Sequence, residues 1–420
     1  MKKVLIVDAY TPAHVGNGVL LKSSIEVIKR AMPDADISFL SLETSTPKLI
    51  SDLPYDSFLF KFPVHLSTLR KICWLITNSI FMMIHILNIK TIKLNPSILC
   101  CSKYRKTAFD RIQEADIVIS ITGEAINDRT RATLPFFLFT YWMAAALGKK
   151  MVIFPQSIGP LNRKWTRKLC NIVLNRCALV VGRDDYSIEE LKGLGVDDNK
   201  TFFSPDVGVI QPFIDEKQAA EILNKQSINP KGKTLIGISV SKPKEDGIAN
   251  IDHISIMLES IINTYDQENV KFLILPANMP LTGVDEGDLA DCIEFSEKLS
   301  KFDVSIMEPR IYSPEEYKGV LSLLDLFVSS RMHVSILATM AATPTVTINT
   351  QRKLYGYMTN IGLQEYSLNL DTLTNEQLSQ CMKRALKNKS DIKNHLLHQR
   401  ENMNHKINDF CDHFANQMTL

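Results

Sequence analysis

Short apolar runs alternate with stretches of helical period along most of the chain. In the first half Val4–Val7, Ile37–Leu40, Asp116–Ile121, Lys150–Phe154, Leu179–Val181 and Thr201–Phe203 read as strands. Helices are predicted near 18–31, 103–114, 135–147, 163–177 and 187–194. A polar stretch follows, "IDEKQAAEILNKQSINPKGKT", whose Asn-Pro-Lys-Gly (229–232) reads as a turn-rich break. The pattern restarts with "TLIGISV" (234–240), then strands at Phe272–Leu275, Val304–Met307, Leu326–Val328 and Thr345–Ile348. Helices are expected near 252–265, 285–300, 314–324, 332–342 and 352–361, and residues 374–417 are polar with a helical pattern. Alternation of this kind predicts an α/β fold of parallel sheets. The economical arrangement is two facing Rossmann-like doubly wound domains, 1–212 and 233–373, with a helical segment 374–420 packing across them.

Ligands of such sheets bind beyond the carboxyl ends of the strands, so strand-to-helix junctions are where chemistry is sought. In "LFVSSRMHVSILATMAATPTVTI" (326–348), Ser329 or Ser330 can cap the helix, and Arg331 and His333 sit at its mouth. A guanidinium beside unpaired helix N–H groups suits an anion, and an imidazole exchanges protons near neutral pH. The plainer reading pairs Arg331 with a carboxylate and buries His333. In "CALVVGRDDYSIEELKGLGV", Arg183 ends a strand as an anion clamp or as half of an ordinary salt bridge. Ser187 and Glu190 match a capping box closed by Gly195. "MVIFPQSIGPL" carries Gln156 in a rigid loop. "ADIVISITGEAIND" brings Glu124 to a strand end, as a base, a sugar ligand or a solvent-facing residue. Arg352 and Lys353 open a helix after the last strand, and Gly16-Asn17-Gly18 reads as a turn between the first strand and helix. Neither G-x-G-x-x-G nor G-x-x-x-x-G-K-[ST] occurs there, which removes the dinucleotide and P-loop readings.

Charge alters little: 48 Lys+Arg against 46 Asp+Glu imply no general attraction to nucleic acid. The eight cysteines show no C-x-x-C and no metal spacing, which suits reduced thiols in a cytosolic protein. Asp8 interrupts the opening "MKKVLIVDAY" too early for a signal peptide. One segment remains, "ICWLITNSIFMMIHILNI" (72–89), free of charged residues and flanked by Arg70, Lys71, Lys90 and Lys93. Its first reading is a buried or lid helix; a helix lying on a membrane surface and a true span are the alternatives.

In this order, Gly16-Asn17-Gly18, "ADIVISITGEAIND", "FPQSIGPL", "VVGRDDYSIEELKGLGV" with Asp206, and "SSRMHVSILATMAATPTVTI" with Lys353 resemble the polysaccharide pyruvyl transferase family. The resemblance covers roughly residues 4–363. It implies a GT-B-like pair of Rossmann-like domains, the first on the acceptor side and the second on the donor side. The activity implied is transfer of the pyruvyl unit of phosphoenolpyruvate to a sugar as a ketal. The family's Arg-Leu-His falls on Arg331, Met332 and His333, and its Arg-Asp-x-x-Ser on Arg183, Asp184 and Ser187. On that basis Arg331, Arg183, Lys353 and Ser330 are expected to bind the donor, and Asn17, Gly18 and Gln156 the acceptor. His333 is expected to act as acid, with Glu124 or Asp206 as base. Two departures fall in the acceptor half: no Asp follows Asn17-Gly18, and Thr122-Gly123 replaces a Gly-Gly pair. The scheme needs no metal or cofactor beyond the donor substrate and no nucleic acid. It places the protein in the cytoplasm, or at the inner face of the membrane if the acceptor is lipid-linked. The rivals are a nucleotide-sugar glycosyltransferase of the same architecture and a non-catalytic sugar-binding relative.

Overall fold

A computed structural model describes residues 1–62, 67–230, 232–240, 253–281, 287–349 and 352–419. Lys231 of the expected break, the start of the expected helices at 252 and at 285–286, and Thr350-Gln351 lie outside the described residues. The chain forms two compact units: Met1–Pro12, Leu20–Val207 and Lys406–Leu420 in the first, Ala13–Val19 and Gly208–His405 in the second.

The first unit is built on β1 (Lys3–Ala9), followed by α1 (Val15–Ala31), whose residues up to Val19 belong to the second unit, then β2 (Asp36–Ser41), β3 (Tyr55–Ser57), α2 (Thr68–Leu87), α3 (Lys103–Glu114), β4 (Ile117–Ser120) and α4 (Leu134–Ala146). It continues with β5 (Lys150–Gln156), α5 (Lys164–Leu174), β6 (Leu179–Gly182), α6 (Asp185–Leu194) and β7 (Thr201–Phe203). All strand pairs are parallel, in the order β3-β2-β1-β4-β5-β6-β7. Val4–Val7 and Ile117–Ile119 are buried because helices cover both faces of the sheet. α4 is apolar on every side and correspondingly buried, from Leu134 to Ala144 apart from Pro135.

The second unit holds α7 (Glu216–Lys225), β8 (Thr234–Ser239), α8 (His253–Thr264), β9 (Val270–Ile274), α9 (Leu289–Lys298), β10 (Asp303–Ile306), α10 (Pro314–Ser322), β11 (Leu326–Ser329), α11 (Met332–Met340), β12 (Thr345–Asn349), α12 (Arg352–Asn360), β13 (Ser367–Asn369) and α13 (Asn375–Lys387). α14 (Lys389–Thr419) begins in this unit, and its end belongs to the first. In that first unit Phe410 and Phe414 pack on Phe154, each ring centre 5.3 Å away. The second sheet is also parallel, in the order β10-β9-β8-β11-β12-β13. Each sheet therefore reverses its strand order once, between β1 and β4 and between β8 and β11. Such switch points open the crevices where doubly wound sheets take ligands.

Several local expectations are corrected. α1 begins at Val15, so Gly16-Asn17-Gly18 lie in its first turn rather than in a preceding loop. The polar stretch ahead of the Asn-Pro-Lys-Gly break contains an unexpected helix, α7, started by a capping box between Asp215 and Gln218. β3 and β13 were not foreseen; each is three residues long and mostly polar, Tyr55-Asp56-Ser57 and Ser367-Leu368-Asn369, so neither shows an apolar run. α6 is capped by Asp184, not by Ser187: the Asp184 side chain accepts the Ser187 N–H at 2.8 Å, while Glu190 pairs with Arg167. Gly195 does close that helix, at φ 74°. The segment read first as a buried or lid helix is helical, and Ile72, Leu75, Ile76, Ile80, Met83, Ile84 and Leu87 along it are exposed.

Candidate active site

β11 ends at Ser329 and α11 begins at Met332, which puts Arg331 itself at the N-cap position. Neither serine caps the helix. Ser329 Oγ accepts the Arg331 N–H at 3.0 Å, and Ser330 lies half-buried between strand and helix. The Arg331 side chain is held from two directions: Nη2 lies 2.8 Å from Asp288 Oδ2 and Nη1 lies 3.1 Å from His14 Nε2. Asp288, 1% exposed, is itself fixed by the N–H groups of Ala277 and Asn278 at 3.2 and 3.1 Å. Burial raises its carboxyl above the ordinary value, against the opposing pull of Arg331.

His14 arrives because residues 13–15 run alongside 277–279: Met279 N–H donates to Ala13 O and Val15 N–H to Ala277 O, both at 2.9 Å. The next residue explains the glycine. A Cβ on Gly16 would stand 2.7 Å from His333 Nδ1 and 2.9 Å from His333 Cβ, so the α1 backbone lies directly on the imidazole. One electrostatic conflict is visible. His14 Nδ1 faces the Gly16 N–H at 3.1 Å while Nε2 faces Arg331, yet a neutral imidazole accepts at one nitrogen only. Arg331, His333, His14, Gly16 and Asp288 thus form one cluster at the carboxyl end of β11, beside the switch point of the second sheet. Arg352 and Lys353 open α12 just beyond neighbouring β12.

The first unit gathers a different set. Arg183, just after β6, is buried with Nη1 2.5 Å from Asp206 Oδ2, both side chains 1% exposed. Its Nε donates to Ser157 Oγ at 3.0 Å, and Ser157 donates on to Asp184 at 2.8 Å, while Nη2 is buried with no hydrogen-bond partner among the described residues. Of the two readings given to Arg183, the salt bridge is therefore realised. Gln156 closes β5 rather than belonging to the loop; its Oε1 accepts from Thr122 Oγ1 at 3.2 Å and its Nε2 is buried with no hydrogen-bond partner among the described residues. Glu124 is paired rather than free: Arg129 binds its carboxylate, and 19% of the side chain remains exposed. Asn17 and Gly18 belong respectively to the second unit's helix turn, their N–H groups directed at His14 O at 2.9 and 3.3 Å.

Three residues of these sites escaped the sequence reading: His14, Asp288 and Asp8. Asp8 lies at the end of β1, at φ 64°, where only a residue tolerant of the left-handed region fits. It is fully buried; Tyr141 OH donates to its Oδ2 at 2.7 Å, Ser120 sits 2.9 Å from that hydroxyl, and Oδ1 has no hydrogen-bond partner among the described residues. Burial pushes its carboxyl up to about 7 against the pull of those two hydroxyls. The one available signal was a charged residue at the end of an otherwise apolar strand.

These features define a class before a family: a GT-B-like chain of two Rossmann-like units with an arginine–histidine cluster at the mouth of a helix. Among solved structures, HepE from Anabaena in complex with UDP and glucose matches with a TM-score of 0.57 at 11% identity, over 100% of this chain and 99% of that one. The UDP-GlcNAc 2-epimerase from Neisseria meningitidis matches with a TM-score of 0.53 at 12% identity, over 94% of each chain. At such identities the likeness is one of fold, and one fold hosts many functions. The family model for polysaccharide pyruvyl transferase matches residues 14–352, and the chain belongs to that family. A relative, the amylovoran biosynthesis protein AmsJ of Erwinia amylovora, is 23% identical over 405 residues, 93% of either chain.

Proposed function

We propose that the protein transfers the pyruvyl unit of phosphoenolpyruvate to a sugar of a cell-surface polysaccharide or its precursor, forming a ketal. Membership of the family and a relative named for polysaccharide biosynthesis support the reaction class. The observation that carries the reading is the Arg331 cluster. A guanidinium oriented by Asp288, an imidazole pressed against Gly16 and the opening turn of α11 suit a small donor bearing both carboxylate and phosphate. An anion received between Arg331 and His14 would also end the conflict at His14, since both could then donate.

His333 delivers a proton to the donor's methylene carbon, leaving a cation-like C2 that one sugar hydroxyl attacks. A second hydroxyl then attacks C2 and inorganic phosphate departs; both hydroxyl protons pass to bases or to the phosphate. Arg331, with Ser330 beside it in the chain and Lys353 in the first turn of α12, holds the donor. Glu124 suits the base better than Asp206, because a hydroxyl can approach its partly exposed side chain, whereas Asp206 is sealed against Arg183. Gln156, Asn17 and Gly18 are left to the acceptor.

The test has two readings. Phosphoenolpyruvate should raise the melting temperature and nucleotide sugars should not, with Arg331→Ala weakening donor binding at least tenfold. Polysaccharide from cells with the protein should carry a pyruvate-sized mass addition that His333→Ala removes while the variant stays folded. Stabilisation by a nucleotide sugar alone, or an undiminished addition in the histidine variant, overturns the assignment.

A further inference from the structure

Helix α2 reverses the usual arrangement of a surface helix. Its polar residues Asn78 and His85 point inward: Asn78 Nδ2 donates to Trp74 O at 2.7 Å and its Oδ1 accepts from Arg105, while His85 stacks on Phe109 at 4.7 Å. Between them Phe81 meets Phe109 and Phe60, and Trp74 meets Phe136, which fastens this face to the core of the first unit. The outward face is apolar. Leu69, Ile72, Ile76, Ile80, Met83 and Leu87 recur at helical spacing and are 47–71% exposed. Leaving such a stripe in water forgoes the burial that normally stabilises a helix, and monomeric proteins seldom show one this continuous.

The surrounding charge indicates what covers it. From residue 57 to residue 109 the sequence contains eight lysines and arginines and no aspartate or glutamate, although the whole chain is nearly balanced. Arg70 and Lys71 stand exposed at one end of the stripe, Lys90 and Lys93 at the other. Cations at both ends place both ends at the same headgroup level. One face is committed to protein packing, so lipid cannot surround the helix, and it lies along the bilayer rather than crossing it. We infer that α2 seats the protein on an anionic membrane surface, its isoleucine face dipped into the headgroup boundary and Arg70, Lys71, Lys90 and Lys93 against lipid phosphates.

Flotation of the full chain with vesicles tests this. Vesicles of phosphatidylcholine containing about one-third phosphatidylglycerol should carry the protein upward, at least about tenfold more than pure phosphatidylcholine, and rising salt should weaken the preference. Replacing Ile72, Ile76, Ile80 and Met83 together by serine should abolish flotation while circular dichroism stays native, since all four are exposed and none belongs to the buried core. Lys71→Glu with Lys90→Glu and Lys93→Glu should remove the preference for anionic lipid. Three results would overturn the inference: no flotation of the wild type, equal binding to both vesicles, or a solution dimer that the serine variant dissolves, which would assign the stripe to a second copy of the chain.

Discussion

Asp8 offers a prediction whose size follows from its surroundings. In the unfolded chain its carboxyl titrates near 3.8, and in the fold burial pushes it up to about 7. Between those values the folded protein keeps a proton that the unfolded chain has lost, so the stability Asp8 contributes is fully present below pH 3.8 and drains away as pH rises to about 7. At 1.36 kcal/mol per pH unit the total is about 4 kcal/mol, an upper figure for a side chain wholly out of water. Asp8→Asn removes the titration and little else. Asparagine tolerates positive φ, and its Oδ1 can still accept from Tyr141. Urea melts of both proteins at intervals from pH 4 to pH 9 should therefore separate, the variant gaining on the wild type by about 4 kcal/mol between pH 4 and pH 8 and running parallel above that. A constant gap across the range would show that Asp8 is solvated or otherwise paired, and the reasoning would fail. A carboxyl that lowers stability at neutral pH, placed at the switch point of the first sheet, is what a functional requirement looks like.

Gly16→Ala should push the His333 ring aside and lower phosphate release from phosphoenolpyruvate by about a hundredfold, the usual consequence of displacing a reacting group by an ångström. Full activity in that variant, with unchanged kcat, would separate the glycine from the histidine's placement. Arg183→Ala and Asp206→Ala should each destabilise the first unit by about 3–5 kcal/mol in denaturant melts, because either takes the ion-pair partner from a buried charge, and the double variant should cost less than the sum. Losses under about 1 kcal/mol would mean water reaches the pair.

How much of this was legible in the sequence depends on the range of the forces involved. Val4–Val7, Leu179–Val181 and Leu326–Val328 announce themselves because a strand covered on both faces must be apolar throughout, and the alternation of such runs with helices leads to parallel sheets. Arg331 and His333 stood out for an equally local reason: polar groups at the mouth of an apolar helix. Partnership is different. Asp288, just before α9, reaches Arg331 from 43 positions away, and His14 reaches it from 317 away because residues 13–15 join the second unit. No local period encodes either meeting. Ser187 was read as a cap because S-x-x-E is a local pattern, and lost that role because Asp184 stood one place before the helix began. Residues 72–89 show the boundary most plainly. Composition by itself predicted an apolar helix, but which face would meet the core was decided by Phe109, Phe136 and Arg105. Ring packing and a buried hydrogen bond drew Trp74, Asn78, Phe81 and His85 inward and left the isoleucines outside.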